Sequence, residues 1–196
     1  MATTKMNLSE ISVNAMQFAT PRTLSNGMKM IDVLVGDTDI AFCGDQLVAP
    51  FGIQTQYKNN DRFEIALNLP ETMRSPLDVI EEKVVAYMFA NQHLLGVENK
   101  TREVIQDKLS SSLKTDKYGM KIVPKLNKNT TIKNANNAHT DISAVTKHST
   151  NDVIFGIPSV WVFQGRFGVS VQVRHIKTFP HVENKITEFS ITPMDE

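Results

Sequence analysis

Trp161, Phe163, Arg166 and Arg174 fall within one stretch, 159–174, whose alternation of apolar and polar residues is that of a β-hairpin. Gln164-Gly165 marks a two-residue turn, with glycine at a position that needs positive φ. Such a turn pairs Phe163 with Arg166, Val162 with Phe167, Trp161 with Gly168 and Val160 with Val169. The side-chain period of two then collects Val160, Val162, Phe167, Val169, Val171 and Val173 on one face. The opposite face carries Trp161, Phe163, Arg166, Gly168, Ser170, Gln172 and Arg174. The first set is a core face. The second is aromatic and basic, which suits bases stacked on rings while cations hold phosphates. A competing reading buries Trp161 and Phe163 under a helix or loop as a second core layer, with the arginines at its rim. Exposure of that face decides between the two, and a one-residue shift of the turn would exchange the faces of one strand.

A second candidate is Phe51, set between Pro50 and Gly52. Proline fixes the backbone there and glycine permits a sharp bend. An aromatic on such a loop is either a contact residue or a plug for one end of a barrel. Charge is sorted along the chain although the total is zero, with 21 Lys+Arg against 21 Asp+Glu. Between Lys108 and Thr150 stand Lys108, Lys114, Lys117, Lys121, Lys125, Lys128, Lys133 and Lys147, against only Asp116 and Asp141. A basic middle between acidic flanks fits an anionic partner, and fits a solvated lysine-rich loop equally.

Other chemistries find no support. The chain has no GxGxxG, no P-loop, no HExxH and no GxSxG. His181-Val182-Glu183 lacks the CxxC that a zinc deaminase requires. Asp32, Asp37, Asp39 and Asp45 cluster around one hairpin, but no second motif anchors a magnesium site. The expectation is a non-enzyme that needs no cofactor or metal. The single cysteine, Cys43, forbids an internal disulfide and suits a reducing, intracellular compartment. No signal peptide or membrane-spanning run is evident.

The elements that must position these residues are strands on either side of a helical middle. Residues 1–24 read as an N-terminal arm, with a first edge strand within 1–20 as the alternative. Strands are expected over 28–35, 38–43 and 62–69 from their alternation. Ser75-Pro76-Leu77-Asp78 signals a helix start, and apolar spacing carries the helix to about Leu95, with Gly96 as its C-cap. Thr101 is positioned to cap a second helix. Strands follow over 118–126, 141–146 and 151–157, then the hairpin. Residues 127–140, with five asparagines, read as a flexible basic loop. Residues 181–196 read as a last strand, over 185–191, and an acidic tail. Helices in the middle of the chain favour an antiparallel α+β arrangement over a parallel sheet. An OB-like barrel carries its helix in that place. A jelly roll and a plain β-sandwich remain alternatives.

The order of these features resembles the single-stranded DNA-binding proteins of nucleocytoplasmic large DNA viruses. The resemblance is carried by Ala49-Pro50-Phe51-Gly52, the Phe63–Leu69 strand, the Leu77–Ile80 helix start, Tyr118 with the Lys121–Lys125 strand, and the hairpin from Ser159 to Val173. It covers roughly residues 25–180. It implies an OB-fold that coats single-stranded DNA, with RNA the alternative, during replication, recombination or repair, in host cytoplasm or nucleus. Under it Trp161, Phe163 and Phe51 are stacking platforms, and Arg166, Arg174, Lys121 and Lys125 meet phosphates. It also implies that the C-terminal tail recruits replication proteins, and it leaves homo-oligomers open. A structural or interaction β-protein with no nucleic-acid role is the other reading.

Overall fold

The computed structural model describes residues 13–36, 38–55, 62–117 and 119–181. Two groups of strands flank a helical segment. The first group is β1 (Met16–Phe18), β2 (Arg22–Thr23), β3 (Lys29–Val35), β4 (Thr38–Ala49), β5 (Ile53–Thr55), β6 (Phe63–Ile65) and β7 (Leu67–Asn68). Next come α1 (Arg74–Ala90) and the short α2 (Arg102–Gln106). The second group is β8 (Leu113–Asp116), β9 (Gly119–Ile122), β10 (Lys125–Lys133), β11 (Ser149–Phe163) and β12 (Arg166–Phe179). The fold is α+β and mainly antiparallel, as the sequence order predicts.

One large sheet runs β1-β3-β4-β11-β12-β10-β6-β5, with β2 on β3. β3 also pairs directly with β11: residues 29–32 lie against 162–159, while Leu34 and Val35 lie against β4. Among the strand pairs of the described residues, β10 and β12 alone run parallel. A smaller sheet is ordered β7-β9-β8. Among the described residues the large sheet does not close; β1 and β5 are its ends, so the expected barrel is an open, coiled sheet. Long strands must bend to wrap one helix, and they bend at irregularities. Register shifts occur in β11 between Gly156 and Ser159, beside Ile154/Phe155, and between Asn151 and Val153, and in β10 between Leu126 and Thr131.

α1 lies on the inner side of this sheet. Its stripe of Leu77, Ile80, Val84 and Met88 is buried with Ile31, Phe42, Phe155, Val160 and Phe167 from the strands. The helix begins at Arg74, so Pro76 sits in the first turn, where its missing N–H leaves no bond unmade. A 3₁₀ turn carries the chain on to Leu95, and Gly96 ends it in the left-handed region at φ 69°.

Several expected elements differ. The 62–69 strand is two, β6 and β7, assigned to different sheets. The 118–126 strand likewise divides into β9 and the start of β10. Residues 127–133, expected to be loop, belong to β10; Thr131, Ile132 and Lys133 pair with β12, beyond a register shift that starts at Leu126. The remaining 134–140 form a tight turn, because Asn134 Oδ1 accepts from the backbone N–H groups of Asn136 and Ala138 at 3.0 and 3.1 Å. Residues 141–146 contain a 3₁₀ turn capped by Asp141 where a strand was expected. Met16–Phe18 takes the edge-strand alternative of the N-terminal arm, and Arg22–Thr23, expected to be arm, also pairs with β3. The strand expected over 185–191, and the tail after it, lie outside the described residues, as does Tyr118.

Candidate nucleic-acid interface

The β11–β12 hairpin forms with the register its turn dictates. Gln164 and Gly165 both take positive φ, 48° and 72°, the signature of a type I′ turn. Phe163 faces Arg166, Trp161 faces Gly168, and Val162 faces Phe167. Val160, Val162, Phe167 and Val169 are buried inward. Trp161 and Phe163 point to the other side of the sheet, away from α1, and are partly exposed; Arg166 is exposed.

Gly168 is what lets the tryptophan lie down. A Cβ at Gly168 would stand 2.7 Å from Trp161 Cζ2 and 2.7 Å from the Ser110 carbonyl oxygen. The indole therefore lies across the neighbouring strand, against its bare backbone. Met30 is the partner of Trp161 on its other flank, and Arg22 continues the row, held by Asp32 at 3.1 Å.

The far side of the platform is built by the segment after α2. Ser110 N–H donates to Phe167 O at 2.7 Å, and Phe167 N–H donates to Lys108 O at 3.1 Å. Arg166 Nε donates to Ser110 Oγ at 3.3 Å. This pairing stops the second helix at Gln106, short of the apolar spacing that continues to Leu113. The segment is anchored from below by Glu81 of α1, a buried carboxylate that accepts from Ser112 N–H at 2.6 Å and Ser112 Oγ at 2.8 Å.

The polar face runs on from the hairpin end. Ser159 with Ser170 and Gly156 with Gln172 form successive rows. Arg174 sits at the next register shift with its guanidinium over Gly156, where a Cβ would come within 2.4 Å of Nε. Lys125 is exposed beside Gln172 on β10, and Glu64 is its other neighbour. Because of the shift at Arg174, His175 and Lys177 also face outward, while Val173 and Ile176 are buried. The spacing of three between those two apolar residues, in a strand otherwise alternating by two, is the sequence signal for that shift.

Trp161, Phe163, Arg166, Lys125 and Arg174 thus share one side of one sheet. Phe51 and Lys121 do not join them. Phe51 is 54% exposed on the β4–β5 turn. That turn lies beside Ser149, some twelve residues along β11 from Trp161, or on the order of 40 Å. Gly52 is fixed there by its φ of 68° and by the Val145 carbonyl, which a Cβ would approach to 2.7 Å. Lys121 belongs to the small sheet and is ion-paired with Asp116. Ser110, Arg22, His175, Lys133 and Lys177 carry no motif and are brought to the face by pairing alone. Among the described residues no three His, Cys, Asp or Glu side chains converge as metal ligands, and no helix is long and apolar enough to cross a membrane.

No protein-family model matches the chain, and no curated protein matches it. Among solved structures, the single-stranded DNA-binding protein from bacteriophage Enc34 in complex with ssDNA is similar, at 10% identity and a TM-score of 0.45, covering 85% of this chain and 97% of that one. A C-terminal truncation of the phage protein gives 8% identity and a TM-score of 0.44, over 85% of this chain and 97% of that one.

Proposed function

We propose that this chain binds single-stranded DNA without sequence preference, stacking bases on Trp161 and Phe163 and meeting phosphates with Arg166, Lys125 and Arg174. The observation that carries the reading is the Trp161 indole laid over Gly168 on the outer, partly exposed side of the sheet, next to Arg166. A core aromatic would be covered by α1, and α1 packs on the opposite side. A ring held flat against backbone offers its other side to any base, since every base has a π-face. Backbone cations along the same side are indifferent to sequence, because phosphates carry no sequence information. The role is binding, with no catalytic residue. The sequence resemblance to the large DNA virus family supports protection of single strands during replication, recombination or repair of a viral genome.

Fluorescence anisotropy with a labelled strand of ~30 nucleotides, single and then duplex, tests this across a salt series. The expected result is tight single-strand binding, a linear fall of log K with log salt, and much weaker duplex binding. Failure to bind either form at low salt refutes it.

A further inference from the structure

Beyond the hairpin, toward the other end of the same sheet face, lies a depression of ≈ 490 Å³ between β4, β11, β12 and β10. We infer that it holds one nucleotide of the bound strand, with its phosphate on Lys133 and Lys177. This rests on the single-strand reading and extends it to a second anchoring point.

The depression has an apolar floor at Ile154 and a rim of polar and charged side chains. A volume in the range of small-molecule sites, apolar below with a few convergent polar groups, fits a base and its sugar. The Asn134-pinned turn forms one wall and contributes Asn137, held at a positive φ of 63°. That wall is built: Asn134 N–H donates to Ala138 O at 2.9 Å and Thr140 N–H to Ile132 O at 3.0 Å.

The cations point to a phosphate. Lys133 and Lys177 are register partners on the parallel strands β10 and β12. Like charges placed directly across a strand pair repel and destabilise it. The obvious relief is Asp152, the partner of Lys177 on β11. Asp152 lines the hollow but is engaged by Gln46: its Oδ1 accepts from Gln46 N–H at 2.9 Å and from Gln46 Nε2 at 3.1 Å. Among the described residues no carboxylate lies within ion-pair distance of either lysine. Lys177 lies over the Phe179 ring, 5.4 Å from its centroid. Two lysines on paired strands, with no ion-pair partner among the described residues, line a hollow with Ile154 in its wall that Asp45 and Asp152 also line, and they are matched by an anion that brings its own flat apolar group. A nucleotide is that ligand. From Gly168, under the tryptophan, to Lys177 is nine residues along β12, about 30 Å. At 3.4 Å per nucleotide in a stacked strand that is roughly nine nucleotides, fewer if the strand is stretched.

The test is the Lys133→Ala/Lys177→Ala double variant against wild type, with strands of about 4 and about 20 nucleotides. Each phosphate contact on a single strand contributes about 0.7 to the salt slope. Losing that one phosphate contact lowers the slope for the long strand by about 0.7, which is about 5-fold in affinity for each tenfold fall in salt. The short strand, held at the hairpin, keeps its wild-type affinity, and Lys133→Arg/Lys177→Arg restores the long-strand slope. An unchanged slope and affinity for the long strand in the double variant, with Trp161→Ala weakening both strands, overturns the pocket and leaves the single-strand reading standing. Saturable binding of free dAMP, lost in the double variant while long-strand affinity is kept, would make the hollow a mononucleotide site and also overturn the inference. Wild-type protein that binds no single strand at all removes the reading beneath it.

Discussion

Trp161 and Phe167 sit one register row apart on opposite sides of the same hairpin, and truncating each to alanine separates binding from folding. Phe167 is fully buried among the helix-facing residues. Phe167→Ala leaves a closed cavity and is expected to lower stability by about 3–5 kcal/mol. Its side chain is on the inner face, and its links to the platform are backbone hydrogen bonds that alanine keeps, so affinity per folded molecule is unchanged. Trp161 is partly exposed and rests on Gly168. Trp161→Ala removes only part of a full aromatic burial and opens to solvent, so its stability loss is about 1–1.5 kcal/mol. One stacked base is worth about 1–3 kcal/mol, which converts to roughly a 5- to 150-fold loss of single-strand affinity. Thermal unfolding and anisotropy on the same samples, with the active fraction fixed by stoichiometric titration, read both quantities. A Trp161→Ala protein that loses 3–5 kcal/mol of stability yet binds normally per folded molecule would show the indole to be core, and the proposed interface would fall.

Two glycines on the face offer a matched pair. Gly168→Ala drives its Cβ against the Ser110 carbonyl and the indole, so both stability, by about 1–3 kcal/mol, and single-strand affinity fall together. Gly156→Ala meets only the Arg174 side chain, which can swing away; unfolding should be nearly unchanged while the salt slope drops by about 0.7. Thr178 buries a hydroxyl that finds no hydrogen-bond partner among the described residues, so Thr178→Val should raise stability by about 1 kcal/mol in urea unfolding. Burial against Phe18 holds the Tyr87 phenol above its ordinary pKa. The folded state therefore keeps that proton longer than the unfolded chain. The associated stability is full below pH ~10 and is lost as pH rises further. Alkaline spectrophotometric titration should show a late phase that Tyr87→Phe abolishes.

The hairpin could be read in advance because a two-residue turn with glycine determines register, and register determines every face that follows. That reasoning gave the Trp161–Gly168 pairing and the inward valines without tertiary information. It stopped at Arg174, where one extra residue in β12 shifts the alternation and brings His175 and Lys177 outward. β10 was illegible for a different reason. Asparagine and lysine disfavour strands locally, and it is pairing that holds the strand: β12 takes Lys125, Leu126 and residues 131–133, and β6 takes Lys125 and Leu126 from the other side. Lys121 and Lys125, four residues apart in what read as one strand, are separated because Pro124 interrupts it and the pieces join different sheets. Glu81 and Ser112, which hold the platform from beneath, are ordinary helix and loop residues in sequence. No spacing rule links residues that stand 31 positions apart.

The pairing of β11 with β3 and β4 has a consequence for how the chain is made. Asn151 reaches back to the Leu47 carbonyl across 104 residues. While the polypeptide is being synthesised from its N-terminus, β3 and β4 wait with one hydrogen-bonding edge unfilled until the hairpin emerges. An open edge of that length invites pairing with other nascent copies. The hairpin, whose own contacts are local and whose turn is pre-set, can form on its own and then serve as the template onto which both earlier strands zip. Chains released before residue 179 lack that template, and the expected outcome is aggregation, with chaperone dependence confined to the interval before β12 is complete.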